Sequence, residues 1–155
     1  MIRPATVEDV PSIAAMIREL AEYEHLSHEV SLDERLLAEH LFGDRPYAQV
    51  LIAQDGAAIA GFALFFHNYS TFLGRPGIYL EDLFVRPAHR KHGHGKALLK
   101  QVAKLALERV CGRLEWSVLD WNTPSIEFYR SLGAKPMDEW TIYRVTGEQL
   151  QKLGS

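Results

Sequence analysis

The sequence has one cysteine, no long apolar run and little net charge. Cys111 alone cannot form an internal disulfide or a cysteine cage for a metal ion, so a reducing cytoplasm is the expected compartment. Apolar runs such as residues 64–66 fall far short of the about 18 residues that a membrane span needs, and no basic region followed by an apolar stretch opens the chain. We therefore expect neither a membrane segment nor export.

What is present is typical of one globular domain. The 155 residues are 47% hydrophobic, 10% aromatic and 24% charged, which provides a sizeable core and excludes a disordered tail. Because no repeat, low-complexity tract or linker divides the chain, we expect a single domain over residues 1–155.

The net charge of −3 is unevenly distributed. Residues 1–44 hold ten acidic against three basic side chains, whereas residues 86–113 hold eight basic side chains against one acidic. The first segment should attract cations and the second anions, although ordinary solvated faces give the same counts. Nucleic-acid binding is disfavoured, because the positive charge is confined to one loop and helix of a net negative chain.

The spacing of apolar residues predicts an alternation of strands and helices. Asp55-Gly56 is a turn signal that makes its two flanking strands an antiparallel hairpin. The order β-α-α-β-β-β-α-β-α-β predicts an α/β domain with a mixed, mainly antiparallel sheet flanked by helices. The expected strands cover residues 2–5, 49–53, 58–67, 78–85, 114–119 and 141–145, and the expected helices begin near Val10, at Ser31 with Glu34 completing a capping box, before Leu98 and at Thr123.

The most informative stretch joins the strand at 78–85 to the following helix. Arg90, Gly93 and Gly95 form an R-x-x-G-x-G pattern there. Glycines let the backbone approach a ligand, and the N–H groups and dipole of a helix start favour negative charge, so a pyrophosphate suits this loop. The same pattern also arises where glycines only end a strand or cap a helix, without binding a ligand.

Two other phosphate-binding patterns fail on this stretch. A dinucleotide fingerprint requires Gly or Ala where the chain has Leu98, and a P-loop requires Ser or Thr where it has Ala97.

Glu81 and Asp82 are neighbouring acids in an otherwise apolar strand. Alternation places one on each face, so at least one needs a polar environment. An acid here can accept the proton that an alkylammonium ion with a pKa of about 10 must lose before its nitrogen attacks. A structural hydrogen bond at a sheet edge is the alternative.

Tyr129 lies on an amphipathic helix, where a core or rim aromatic is the simpler interpretation. A phenol with a pKa of about 10 can also protonate a departing thiolate.

Three histidines, His89, His92 and His94, lie in the same loop as the glycines. Arg90 and Lys91 stand among them, and their charges would repel a metal cation. The sequence therefore predicts no metal site.

With these residues the chain resembles the GNAT N-acetyltransferase family over nearly its whole length. The R/Q-x-x-G-x-G/A loop of that family binds the pyrophosphate of acetyl-coenzyme A. Residues 18–24, 68–72, 79–82 and 119–122 look like its diamine acetyltransferase branch, which includes spermidine/spermine and thialysine acetyltransferases. The motifs Tyr-Ser-Thr and Val-Leu-Asp-Trp-Asn are more similar to those of the thialysine enzymes.

The resemblance implies a GNAT-type sheet, acetyl-coenzyme A as co-substrate, a homodimer and a set of site residues. Glu81 is the implied acceptor of the amine proton, through water, and Tyr129 is the implied general acid. Phe72 stands where the branch usually has Trp, and the chain is shorter before Trp140, so Asp138 or Glu139 takes the place of a family glutamate. The implied cofactor-binding residues are Leu83, Phe84, Val85, Arg90, Lys91, His92, Gly93, His94, Gly95, Lys96, Asn122, Pro124, Ser125 and Tyr129, and the implied amine contacts are Tyr23, Glu24, Phe72, Glu81, Asp82, Asp138 and Trp140.

The resemblance therefore predicts acetyl transfer to the primary amine of a small cationic acceptor by direct attack in a ternary complex. The acceptor is a thialysine- or lysine-like amine or a polyamine. Two alternatives stay open: acetylation of a protein lysine or N-terminus, and a coenzyme A-binding sensor without catalysis.

Overall fold

Five strands form one sheet in the computed structural model, which describes residues 1–155. Neighbouring strands are antiparallel except the last two, which are parallel. This confirms the predicted mixed, mainly antiparallel sheet. In spatial order the strands are β1 (Ile2–Pro4), β2 (Gln49–Asp55), β3 (Ala58–Ser70), β4 (Arg75–Val85) and β5 (Leu114–Trp116).

Three helices cover this sheet: α1 (Val10–Tyr23), α2 (Glu34–Phe42) and α3 (His94–Glu108). On one face, apolar side chains of α1 and α2 pack against β2, β3 and β4. On the other face, α3 buries Leu98, Leu99, Val102 and Ala106. Each buried Leu or Val side chain contributes about 1.5–3 kcal/mol, so this packing stabilises α3 against the sheet. The hydrophobic core on the face covered by α1 and α2 contains Ile13, Met16, Leu41, Val50, Ile52, Phe62 and Phe84.

α1 begins at Val10, as expected, directly after a turn of 3-10 helix at Val7–Asp9. Thr6 and Asp9 form the capping box of that turn, in which the backbone N–H of Thr6 donates to the Asp9 carboxylate at 2.8 Å. The guanidinium of Arg3 donates two further hydrogen bonds, of 2.7 and 2.9 Å, to the same carboxylate. These bonds hold the pKa of Asp9 below its usual value, chiefly through Arg3.

The second helix begins later than expected. Asp33 rather than Ser31 is its N-cap, because the Asp33 carboxylate accepts hydrogen bonds from the backbone N–H groups of Arg35 and Leu36 at 2.9 and 3.1 Å. An aspartate at this position satisfies helix-start donors as well as a serine does, and it lies closer to the first apolar turn.

The chain divides into two compact units, Met1–Ser117, which holds the sheet, and Val118–Ser155. The second unit contains α4 (Thr123–Ser131) and α5 (Gly147–Leu153). The start of α4 is confirmed, with Asn122 as N-cap and Pro124 in the first turn. The prediction of one domain over the whole chain stays a prediction.

The strands expected near the C-terminus are partly wrong. β5 ends at Trp116 rather than at residue 119, and residues 141–145 form no strand. Ile142 and Tyr143 are 77% and 92% exposed, although their types favour strands. A β-favouring composition makes a strand only where a neighbouring edge pairs with it. Sequence reasoning also missed α5.

None of the helices combines the length and the apolar character that crossing a membrane requires.

Candidate active site

β4 contains a bulge at the pair of acidic residues. Leu80 pairs with Phe65 and Asp82 with Leu64, so Glu81 is an extra residue in the ladder between β3 and β4. A bulge interrupts the alternation of side chains, and no residue type in the strand marks it in advance. Glu81 is exposed and Asp82 is partly buried. The regular alternation on which we based the expectation of one acid on each face is thus interrupted at Glu81, and that expectation stays a prediction.

Asp82 lies on the face of the sheet that α1 covers. It is two residues from Phe84, which packs with Ile13 and Met16 of α1, and residues two apart in a strand share a face. Burial, and after it the negative charges of Glu81 and Glu24, raise the pKa of Asp82 to about 7.

Three predicted amine contacts are thus brought together: Glu24, Glu81 and Asp82. Burial also raises the pKa of Glu24. A cation among these groups would relieve their mutual repulsion and stabilise the ionised form of Asp82. The arrangement suits an ammonium group that must be both held and deprotonated near neutral pH.

The edge of β4 that faces away from β3 has no strand partner beyond Leu80. The N–H of Arg86 donates to a carbonyl of β3, so alternation directs the N–H and C=O groups of Leu83 and Val85 toward the unpaired edge. In agreement, the Val85 carbonyl accepts a hydrogen bond from Nε of Arg90 at 2.9 Å instead of from β3. Leu83 therefore presents both backbone groups to an extended ligand.

The loop after β4 ends in an uncapped helix start. Gly93 is the N-cap of α3 and makes no side-chain cap, so first-turn N–H groups of α3 lack a capping partner. Lys91 and Gly93 have φ angles of +67° and +83°, and a Cβ added to Gly93 would meet no atom within 4 Å. This exposed set of N–H groups at a helix start fits an anionic pyrophosphate, as the sequence pattern predicts.

Arg90 anchors the loop next to the end of α1. Its guanidinium carbon lies 5.1 Å from the ring centre of Tyr23 and 5.7 Å from that of Phe84. Together with the hydrogen bond to Val85, these cation–π contacts hold Arg90 against the sheet. Tyr23, a predicted amine contact, is thereby placed beside the predicted phosphate loop.

Phe72 lies far from Glu81 and Asp82 along the β3–β4 hairpin. It is 98% exposed in the turn between β3 and β4. Arg75 opens β4 after that turn, and the strand from there to Glu81 spans about 20 Å at about 3.3 Å per residue. The role of Phe72 as an apolar substrate wall stays a prediction.

The remaining predicted residues lie in the second unit. The carboxamide oxygen of Asn122 accepts a hydrogen bond from the N–H of Ser125 at 3.4 Å, and the ring centre of Tyr129 on α4 is 5.7 Å from that of Phe128. Trp140 follows Asp138 in a turn between α4 and α5 and is 75% exposed. The roles of these residues, and of Pro124, toward cofactor and amine stay predictions.

Comparison with known proteins gives three kinds of match. The family model described as "Acetyltransferase (GNAT) family" matches residues 13–134. The thialysine N-epsilon-acetyltransferase of Bos taurus is 39% identical over 99% of this chain and 96% of its own length. The L-ornithine N5-acetyltransferase NATA1 of Arabidopsis thaliana is 34% identical over 98% of this chain and 86% of its own. Among solved structures, an integron cassette protein from the mobile metagenome of V. cholerae has a TM-score of 0.82 at 27% identity, covering 99% of this chain and 96% of that chain.

Proposed function

The chain belongs to the GNAT acetyltransferase family, and we propose that it transfers an acetyl group from acetyl-coenzyme A to a primary amine of a small cationic acceptor. The acceptor is a thialysine- or lysine-like amine or a polyamine, which attacks directly in a ternary complex. The cluster of Glu24, Glu81 and Asp82 at the bulge of β4 carries the proposal, because it offers three carboxylates to a cation. The names of two relatives point the same way, since thialysine N-epsilon and ornithine N5 are side-chain amines.

Two stretches of the first unit are suited to bind the co-substrate. The backbone from Leu83 to Val85 pairs with the pantetheine arm, because this edge of β4 has no strand partner. Residues 90–96 hold the pyrophosphate on the N–H groups of the loop and of the first turn of α3. For Asn122, Pro124 and Ser125 in the second unit, the proposed cofactor-binding role rests on the family resemblance alone.

Bound acetyl-coenzyme A supplies the thioester that the amine attacks. Glu81, exposed at the bulge, accepts the amine proton through water. Asp82, with its pKa of about 7, ionises as a second cationic group approaches and holds that group. The N–H of Leu83 donates to the acyl oxygen as negative charge develops there, and Tyr129 protonates the departing sulfur.

A panel of acceptors tests the proposal. Thiol release from acetyl-coenzyme A is measured with spermidine, spermine, putrescine, ornithine, lysine, thialysine and a lysine-containing peptide. We expect transfer to at least one small amine well above the hydrolysis background. Glu81→Gln should lower that rate, whereas the matched variant Glu108→Gln, an exposed acid of α3, should not.

Two outcomes contradict this reading. A clear preference for the peptide would favour a protein acetyltransferase. Binding of coenzyme A without transfer to any amine would favour a sensor and remove the roles of Glu81 and Tyr129. The proposal also includes a cytoplasmic homodimer, for which sedimentation equilibrium of the full chain measures the oligomeric state.

A further inference from the structure

A second cluster of ionisable side chains flanks the loop between β4 and α3. Asp55 ends β2 at the turn into β3, His89 lies in the short turn of 3-10 helix at Pro87–His89, and His94 opens α3. Nδ1 of His89 is 3.0 Å and Nε2 of His94 is 3.5 Å from the same carboxylate oxygen, Oδ2 of Asp55. All three ligand atoms lie within 4.8 Å of one another.

One atom of this cluster has no hydrogen-bond partner. Nε2 of His94 is buried and makes no hydrogen bond, and the acidic atom that it faces is Oδ2 of Asp55, at 3.5 Å. A buried polar atom without a partner costs free energy and calls for an explanation such as an ion.

We propose that Asp55, His89 and His94 bind a divalent transition-metal ion of the zinc class. Two imidazole nitrogens and one carboxylate oxygen are a ligand set that Zn²⁺ accepts in tetrahedral sites, with water in the fourth position. Ligand atoms about 2.1 Å from a tetrahedral ion lie about 3.4 Å from each other. The two nitrogen–oxygen separations, 3.0 and 3.5 Å, bracket this value, and the two nitrogens lie within 4.8 Å of each other. Asp55 is exposed, which leaves space for the water.

The cations of the loop are directed away from the cluster or into solvent. The guanidinium of Arg90 lies over Tyr23 and Phe84 and donates to Val85. Lys91 and Lys96 are exposed. Repulsion by Arg90 and Lys91, on which the sequence-based prediction of no metal site rested, is thus weaker than their positions in the chain indicate.

Such an ion would fasten the loop at both ends. The proposed function assigns residues 90–96 to pyrophosphate. His89 directly precedes this segment and His94 lies near its end, whereas Asp55 belongs to the hairpin of β2 and β3. Metal binding would thereby fix the loop against the turn between β2 and β3. This inference concerns a structural site and does not depend on acetyl transfer.

Cobalt provides a visible probe of the site. The tag-free full chain is treated with a chelator and titrated with Co²⁺, whose absorption reports tetrahedral coordination, and Zn²⁺ is then added as competitor. We expect saturation at one equivalent and displacement by Zn²⁺. Asp55→Asn and His89→Gln should each weaken binding at least about 10-fold, whereas His92→Gln should not, because His92 is outside the ligand set.

The folding of each metal-free variant is checked by circular dichroism and its thermal midpoint. Zn²⁺ should raise the midpoint of the parent chain and of His92→Gln but not that of Asp55→Asn. The proposal is overturned if the parent chain shows no saturable binding, or if folded Asp55→Asn and His89→Gln both retain it. Because the readout is metal binding without coenzyme A, failure of the acceptor panel leaves this result unaffected.

Discussion

At Asp82 the fold places a carboxyl group where its charged form is unfavourable. Its pKa rises from an ordinary value of 3.8 to about 7. Between these two pH values the folded chain keeps a proton that the unfolded chain has lost, so the free energy of unfolding falls as pH rises through this range. Above about pH 7, Asp82 is ionised in both states, and its destabilising contribution to the free energy of unfolding no longer changes with pH. A shift of about 3 units corresponds to at most about 4 kcal/mol.

Asp82→Asn should remove this pH dependence. Over pH 5 to 8 the parent chain should lose about 2–3 kcal/mol more unfolding free energy than the variant does. Urea denaturation at the two pH values measures this difference. Asp44→Asn, an exposed acid, is the control and should follow the parent chain. Equal pH slopes for the parent chain and Asp82→Asn would show that Asp82 titrates normally.

Tyr129 gives a second prediction for a single residue. If its hydroxyl protonates the departing sulfur, Tyr129→Phe should lower kcat about 100-fold or more, with little change in affinity for acetyl-coenzyme A. Steady-state rates and coenzyme A binding are measured together. The control is Tyr143→Phe, a hydroxyl removal at a residue that is 92% exposed. A near-parental rate for Tyr129→Phe would exclude the acid role.

Residues far apart in the chain limit what sequence reasoning can find. The pattern at Arg90, Gly93 and Gly95 is local, and the structure forms the expected loop and helix start there. Asp55 was missed because it is 34 positions from His89 and reaches it only through the hairpin of β2 and β3. Glu81 was identified as an acid in a strand, but its bulge depends on the pairing with β3.

The loop before α3 tests function at the level of an element. Gly93→Ala adds a methyl group at a φ of +83° with no atom within 4 Å, so the change strains the backbone without a clash. Because the loop is proposed to hold the pyrophosphate, Gly93→Ala should raise KM for acetyl-coenzyme A about 10-fold. Initial rates against acetyl-coenzyme A concentration measure this effect.

Gly74→Ala is its matched control. Gly74 has a φ of +65° and equally open surroundings, but it lies in the turn between β3 and β4. The two variants should lose similar stability, about 1 kcal/mol, while only Gly93→Ala changes KM. The same KM for both would mean that the loop does not contact the co-substrate.

Element boundaries were predictable where one local signal dominates. The capping box of Thr6 and Asp9 opens the turn of 3-10 helix that leads into α1, and Asn122 is the N-cap of α4. At α2, Ser31 and Asp33 compete within one turn, and only the hydrogen bonds of Asp33 decide between them. Residues 141–145 have a strand-like composition but do not belong to the sheet. Whether a segment pairs with a strand depends on its neighbours in the fold, so the residues of the segment alone do not predict it.

At the scale of the whole chain, charge should affect how fast the acceptor arrives. Ten of the 20 acidic residues lie in residues 1–44, beside only three basic ones. This segment supplies Glu24 to the carboxylate cluster and carries α1 and α2. A negative field around the cluster concentrates cations and speeds their binding, and salt weakens that field because the Debye length falls to about 10 Å at 0.1 M.

The steering should appear as a salt dependence that grows with acceptor charge. Between about 0.02 M and 0.3 M salt, we expect kcat/KM to fall several-fold for spermidine and less for lysine, which carries a smaller net positive charge. The triple variant Glu8→Gln, Glu29→Gln, Glu39→Gln removes three exposed acids outside the proposed site. It should flatten the spermidine dependence and leave kcat unchanged, because it weakens the field without altering the carboxylate cluster. A kcat/KM for spermidine that ignores salt in the parent chain would mean that the acidic segment is an ordinary solvated surface.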